Sequence, residues 1–297
     1  MQARPFFSLV VPTIERTLEV EALLSSLRDS KFRDFEVIIV DQNRDNRLDQ
    51  IIYVFRHDYE ILHLKVEFKG AARARNYGAN YAKGQWINFP DDDCELKRDL
   101  LENARCYISE LNVKVLIGVC IDRNGEFSNA KFKQDEVYVC LSNMWGRCIE
   151  ATMFFDTATF LEVGGYDERF GVGSQYGGEE GPELLVRLIS HLPNKNIFYS
   201  YKLQFYHPFH GIEFTLTDCL RSYNYSRGSG AHLAKSPHYY AYVHAANLVL
   251  RGIIAVIIYR KEKRKFYLSR LKGFFDGYNE FKRCENDRHR KLTTSNE

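Results

Sequence analysis

The segment Phe35–Val40, FEVIIV, is apolar at almost every position and ends on an acid, Asp41. A strand wetted on one face alternates apolar and polar residues, whereas a near-continuous apolar run fits a strand covered on both faces, as in a parallel sheet. Phe6 to Val11 is a second such run, β-branched and aromatic and stopped by Pro12, after which Leu18, Leu23, Leu24 and Leu27 recur at helical spacing. Strand, helix and strand make a βαβ unit, so an α/β sheet with a mainly parallel core is predicted. The alternation continues with a helix near Leu48–His57, an extended stretch near Ile61–Phe68, a helix over Ala71–Ala82 and a strand at Gln85–Phe89. Further strands are expected at Val113–Ile121 and Glu136–Leu141, and a helix at Leu184–Ile189.

Ligands of open α/β sheets bind at the carboxyl ends of the strands. Asp41 closes one predicted strand and Asp91, Asp92 and Asp93 follow another, so both should face one crevice. Three adjacent aspartates repel, and the usual compensation is a divalent cation or an array of donors. A cation held there would neutralise a departing diphosphate. The alternative is an acidic cap, with Asp93 leading the helix-like ELKRDLL. Just upstream, Gly70, Arg73, Arg75, Asn76 and Gly78 gather positive charge and small residues. Arginine matches phosphate geometry, although an exposed helix face with scattered arginines would read the same way. G-x-G-x-x-G and G-x-x-x-x-G-K-[ST] are absent, against a dinucleotide-binding dehydrogenase or a P-loop enzyme.

With 45% apolar and 27% charged residues, the 297-residue chain can bury a sizeable core and is not of disordered composition. Its 41 Lys/Arg against 39 Asp/Glu do not mark a nucleic-acid binder, so no nucleic-acid partner is expected. The charge is nevertheless split by region. Residues 251–297 hold 13 Lys/Arg against 6 Asp/Glu, a surplus of 7, which leaves a deficit of 5 in residues 1–250. The seven cysteines are scattered and never in C-x-x-C spacing, which reads as reduced thiols in a cytoplasmic protein. The opening MQARPFFSLVVPT reads as a first strand rather than a signal peptide.

Taken together, the motifs resemble the family 2 glycosyltransferases, an inverting family of the GT-A fold. FFSLVVPTIER resembles that family's first strand and nucleotide-facing turn, FEVIIVDQN its second strand, and GAARARNYGANYAKGQWINFPDDD its G-x-x-x-A-R-N-x-G segment and metal-binding acids. VGGYDERFGVGSQYGGEEGPELLVRL resembles the acceptor-side G-G-[FY]-D-x-x-F turn and the acidic motif before a helix. The resemblance implies a GT-A catalytic domain over residues 1–214, with a nucleotide-binding half to about residue 95 and an acceptor-side half from 96 to 214, followed by a C-terminal helical extension over 215–297. It implies Pro12, Thr13 and Asp41 around the base and ribose, Arg16 in the same donor set, and Arg75 near the diphosphate. Asp93 would be the direct ligand of a Mn²⁺ or Mg²⁺ ion, with Asp91 nearer the ribose and sharing the metal, and Asp92 nearer the donor sugar. His207 would complete the metal site, with His210 competing.

The expected reaction moves a sugar from a nucleotide-diphosphate sugar, commonly a UDP-sugar, onto a glycan or lipid-linked acceptor, in a setting such as bacterial lipopolysaccharide, O-antigen or capsule synthesis. A carboxylate must take the acceptor's proton. The family's Glu-Asp pair is replaced here by Glu179, Glu180, Gly181, Pro182 and Glu183. Glu180 is the expected base, with Glu179 and Glu183 as alternatives. Asp167 would bind an acceptor hydroxyl, and Tyr166 reads equally as core or as a sugar-stacking ring. YNYSRGSGAHLAK resembles a flexible Gly/Ser stretch that closes over the donor, with Arg227 on phosphate. A sugar nucleotidyltransferase, or a non-catalytic relative acting as a binding module, are the competing readings.

The apolar run Ala245–Tyr259 is shorter than the roughly 20 residues of a spanning helix and contains Arg251. With Arg260, Lys261, Lys263, Arg264 and Lys265 behind it, the run fits either a peripheral contact with an anionic membrane or a helix packed on the protein with a solvated basic end.

Overall fold

The computed structural model describes residues 4–208 and 211–294. The chain divides into two compact units, Met1–Asp167 with Leu184–His210, and Glu168–Glu183 with Gly211–Glu297. The segment Glu168–Glu183 therefore groups with the C-terminal helices.

The elements of the first unit are β1 (Phe7–Thr13), α1 (Leu18–Arg28), β2 (Phe35–Asp41), α2 (Asp49–Phe55), β3 (Glu60–Lys65), α3 (Ala71–Ala79), β4 (Trp86–Asn88), β5 (Glu95–Leu96), α4 (Leu100–Leu111), β6 (Val115–Ile121), β7 (Glu136–Tyr138), β8 (Met153–Asp156) and α5 (Thr157–Glu162). Helix α6 (Glu180–His191) and strand β9 (Ile197–Tyr206) follow. The sheet order is β3-β2-β1-β4-β8-β6-β9-β5, with β7 also on β9. The long pairings β3-β2, β2-β1 and β6-β9 are parallel, while β8 joins the halves antiparallel to β4 and β6. The α/β class, mainly parallel and flanked by helices, is as the sequence predicts.

Strands β1 and β2 are buried at every position, as their unbroken apolar runs require. Their side chains still alternate between faces. Val10, Ile38 and Val40 join a core with Ala72 and Ala74 of α3 and Leu184 and Leu188 of α6. Leu9, Val11, Val37 and Ile39 join the opposite core with Leu23 and Leu27 of α1, Ile52 of α2 and Leu101 of α4. Strand β1 does not stop at Pro12, contrary to expectation, but runs on to Thr13 opposite Asp41. Strand β4 pairs with β1 only at Phe7–Leu9, so beyond Leu9 that side is an edge, where proline is tolerated.

The second unit holds α7 (Leu216–Lys235), α8 (Tyr239–Ile258) and α9 (Lys261–Thr294). Thr215 and Asp218 form a reciprocal capping box that starts α7. Two expectations are corrected here. The stretch read as flexible, Tyr223–Lys235, lies inside α7, and its glycines serve close packing. A Cβ added at Gly230 would sit 1.9 Å from the Phe274 carbonyl oxygen, and one at Gly277 of α9 would sit 2.0 Å from that of Arg227. Arg227 itself is forked onto Glu280, with Nη2 2.7 Å from Oε1 and 2.6 Å from Oε2. The apolar run read as too short to span is part of a 20-residue helix, α8, so length alone does not argue against the bilayer.

Replacing Gly230 with alanine should therefore force α7 from α9 and cost about 1–3 kcal/mol or more of stability. Urea unfolding of Gly230→Ala beside the wild type measures it, and an unchanged midpoint would mean that the helices are not in such close contact.

Candidate active site

The carboxyl ends of β1 and β2 and the loop after β4 meet where topology predicts. Asp41 is fully buried, and its carboxylate accepts three hydrogen bonds. Oδ1 accepts the Asn43 backbone N–H at 2.9 Å and the Asn43 side-chain amide at 2.7 Å, and Oδ2 accepts His63 Nε2–H at 2.9 Å. Burial pushes this carboxyl up, but the donors from His63 and Asn43 prevail and hold it below the usual aspartate range. Two further contacts fix the surrounding turns. Asn43 Oδ1 accepts the backbone N–H of Glu15, which has a left-handed φ of 61°, and Gln42 Oε1 accepts the Gly70 N–H.

The three aspartates are each braced from a different direction. Asp91 takes Arg75 Nη2 at 2.8 Å. Asp92 takes the Thr13 hydroxyl at 2.8 Å and lies 3.3 Å from Arg16 Nε. Asp93 lies 2.9 Å from Arg16 Nη2 and 3.2 Å from His207 Nε2. Burial drives the Asp92 carboxyl up to about 6 against the pull of Thr13 and Arg16. On Asp93 the same burial is outweighed by His207 and Arg16, and its carboxyl falls below the ordinary value. Burial opposes charge on His207 too, yet Asp93 holds its imidazole above the usual histidine value.

Asp91, Asp93, Cys94 and His207 offer ligand atoms that all lie within 4.8 Å of one another. His207 follows β9, and its backbone N–H is tied to the Ile121 carbonyl of β6. Its Nδ1–H donates to the Pro208 carbonyl at 2.9 Å, which turns Nε2 toward the acids, as a donor to Asp93 when the ring is protonated and as a possible metal ligand when it is neutral. Two carboxylates and an oriented imidazole form a set that could hold a divalent cation. Cys94 was not foreseen as a neighbour of this cluster, although its place directly after the aspartates was legible. Its thiol is pushed well up by burial, with Cys120, Asp91 and Asp93 adding to the effect. His210, the competing histidine, lies outside the described residues.

Pro12 stands in β1 opposite Val40, one residue before Thr13. Arg75 is buried and lies over the Tyr166 ring at 5.6 Å. Asn76 is a clamp rather than a ligand, since its amide donates to the Tyr166 carbonyl and accepts the Tyr166 N–H, both at 2.8 Å. Arg187 adds bonds of 2.6 Å to the carbonyls of Val163 and Gly165. Tyr166, open between two readings in the sequence, packs among Phe89, Phe155 and Phe160 and is a core residue. Asp167, beside it, is half-exposed.

The three glutamates expected near the acceptor lie in the second unit. Glu179 has a left-handed φ of 72°, accepts the Ser229 hydroxyl at 2.6 Å and lies 3.4 Å from His232 Nδ1. Burial pushes its carboxyl up, and His232 and Ser229 pull it below the usual range. Glu183, wholly buried, is ion-paired with Lys235. Glu180 is buried against Gly171, where an added Cβ would lie 2.8 Å from Glu180 Oε1 and φ is 101°.

Comparison with known proteins agrees with this geometry. The glycosyl transferase family 2 pattern matches residues 8–164, and the chain belongs to that family. Over 142 residues the chain is 28% identical to the poly(ribitol-phosphate) β-N-acetylglucosaminyltransferase TarS of Staphylococcus aureus, covering 46% of this chain and 25% of TarS. It is 39% identical over 87 residues to an uncharacterized glycosyltransferase of Haemophilus influenzae, covering 29% of each chain. The chain thus spans less than a third of the length of these two relatives. A crystal structure of TarS residues 1–349 superposes with a TM-score of 0.64 at 18% identity, covering 92% of this chain and 81% of that one. The mannosyltransferase PcManGT of Pyrobaculum calidifontis, solved with GDP-mannose and Mn²⁺, superposes at 0.62 and 13% identity, covering 95% and 88%. The sheet order and flanking helices are therefore those of the GT-A fold.

Asp41 carries a pH signature that can be measured. Its folded-state acidity is depressed, so its contribution to stability is complete above the unfolded pKa of about 3.9 and is lost as pH falls through the lower folded value. The stability gap between wild type and Asp41→Asn should be widest near neutrality and shrink on acidification. Chemical unfolding across that range tests the sign, and a gap that widens toward acid would overturn the assignment.

Proposed function

We propose that this chain is an inverting, metal-dependent glycosyltransferase that moves a sugar from a UDP-sugar onto a glycan or lipid-linked acceptor of a bacterial surface polymer, at the cytoplasmic side of the membrane. The observation that carries the reading is the convergence of Asp91, Asp93 and His207 beside Thr13, Arg16 and Asp41. Asp91, Asp93 and His207 would hold a divalent cation, whose charge offsets that of the departing diphosphate. Asp41, fixed by His63 and Asn43, and Thr13 stand at the strand ends where a base and ribose would lie. Arg16 and Arg75, now paired with the acids, supply guanidinium donors for the diphosphate. Support for a uridine donor comes from TarS structures solved with UDP and with UDP-GlcNAc. Support for a lipid-linked acceptor comes from a Campylobacter jejuni relative, 27% identical over 138 residues, named as a β-1,3-glucosyltransferase of GalNAc(5)-diNAcBac-PP-undecaprenol. Asp167 is assigned to an acceptor hydroxyl.

Glu180 is the proposed base. It opens α6, where the acidic motif meets the helix, and Glu179, held acidic by His232 and Ser229, is a weaker proton acceptor.

Calorimetric titration with UDP, GDP and CDP, each with and without Mn²⁺, should give tight metal-dependent binding of UDP. Asp93→Ala and His207→Ala should lose that metal dependence. Binding of no nucleotide under any metal condition would sink the transferase reading, and preference for GDP would replace the proposed donor. For the base, Glu180→Gln should lower kcat by about 10²–10⁴-fold while leaving UDP affinity unchanged. Full activity in Glu180→Gln would move the role to another carboxylate.

A further inference from the structure

Helix α8 is inside out for a water-soluble protein. Its buried positions are the small residues Ala241, Ala245, Gly252 and Ala255. Most of its large aliphatic residues point outward, with Ile257 76%, Ile258 65% and Leu250 55% exposed, and Val243, Ile253 and Ile254 also exposed, while Val249 packs inward. By length and composition the helix could cross a bilayer, yet only 22% of its apolar window is buried in the protein. An ordinary surface helix turns its large apolar residues inward and its polar ones to water. A contiguous apolar patch of this kind marks an interaction surface.

The two ends of the helix identify the partner. Tyr239, Tyr240 and Tyr242 stand exposed at its start, the kind of residue that settles at the level of lipid headgroups. At its finish Arg260, Lys261, Arg264 and Lys265 are exposed, with half-buried Lys263 over the Tyr259 ring at 3.7 Å. Only Glu262 offsets these five cations. Apolar face, aromatic flank and cationic end in sequence fit an anionic lipid surface better than a second protein, whose docking face would need matching acids.

Neighbouring α9 decides how deep the helix sits. Gly252 of α8 lies against Leu271, and Ala241 and Ala245 share a core with Phe274 and Tyr278. The same stretch of α9 carries Arg270, Lys272 and Asp276, and α8 itself exposes Arg251. Spanning would drag these charges through hydrocarbon. A helix lying in the interface keeps them wet, because long basic side chains reach back to the headgroups.

We propose that the outward face of α8 is a bilayer-docking surface that rests in the interface of an anionic membrane, with the cluster from Arg260 to Lys265 on the headgroups. This inference stands on the second unit alone and does not rest on the transferase reading. The test is co-sedimentation of the full chain with vesicles of phosphatidylcholine, or of phosphatidylcholine with phosphatidylglycerol, at low and high salt. Binding should favour the anionic vesicles and weaken with salt. Ile253→Ser with Ile257→Ser should abolish it, and Arg260→Gln with Arg264→Gln should lower it on the order of tenfold. All four substitutions lie on exposed positions, and unchanged melting temperatures will show that the variants fold. Equal binding to neutral vesicles would overturn the headgroup role. Failure to bind either vesicle overturns the proposal, and dimerisation lost in the isoleucine variant would then assign the face to a second copy of this chain.

Discussion

Everything in the first unit answers to the placement of three consecutive carboxylates in a largely sheltered site. Asp91, Asp92 and Asp93 cannot all be ionised there unless positive charge and donors come to them. The chain brings these from separate places: Thr13 and Arg16 from the end of β1, Arg75 from α3, and His207 from the end of β9. No two of these elements are adjacent in sequence, so the sheet order is the device that gathers them. A slip of one residue in the β6-β9 pairing would turn alternate side chains to the other face and displace His207, whose backbone is anchored on Ile121. The acid cluster and the strand registers thus constrain each other.

At the other side of the crevice the requirement is stillness rather than charge balance. Asp41 accepts three bonds, two from Asn43 and one from His63 of the adjacent strand, so its carboxylate has little rotational freedom. Asn43 then reaches across to the turn after β1, and Gln42 to the start of α3. A binding site whose groups are already locked in place loses less entropy when a ligand arrives.

The part of this arrangement at the ends of β1, β2 and β4 was legible because its signals are local. A strand buried on both faces must be apolar throughout, and the acid that ends it stands out, so Asp41 and the Asp91–Asp93 run could be read directly. His207 came only from resemblance, because its partners lie more than a hundred residues away. Strands β5, β8 and β9 were not foreseen, and β5 stands where ELKRDLL suggested a helix led by Asp93. β8 is four residues long, and β9, IFYSYKLQFY, mixes polar and aromatic residues without a clean period, so its pairing with β6 rather than its own pattern defines it. Asn76 was read as part of a phosphate-facing segment, whereas its bonds to Tyr166 across 90 residues make it a structural clamp. Gly228 and Gly230 misled for a related reason. Glycine lowers intrinsic helix propensity, but the gain from bringing α7 and α9 backbones together outweighs it.

The same logic of small residues explains the character of α8. Gly230, Gly273 and Gly277 let α7 and α9 approach until only a glycine fits between them, and Ala241, Ala245, Gly252 and Ala255 present a comparably slim face to α9. A helix that packs through such a face has nowhere inside to put Leu250, Ile253, Ile254, Ile257 and Ile258. Turning them inward would drive isoleucine side chains into the space where a Cβ on Gly252 would already lie 2.7 Å from Leu271. In water the hydrophobic effect would select against that choice of buried face, because the larger apolar area stays wet. With that outward face resting in a bilayer interface the apolar area leaves water and the penalty is removed, while the slim face stays packed on α9. The glycines read as a flexible stretch and the isoleucines left in the open are two consequences of one packing solution, one that makes physical sense at a bilayer surface.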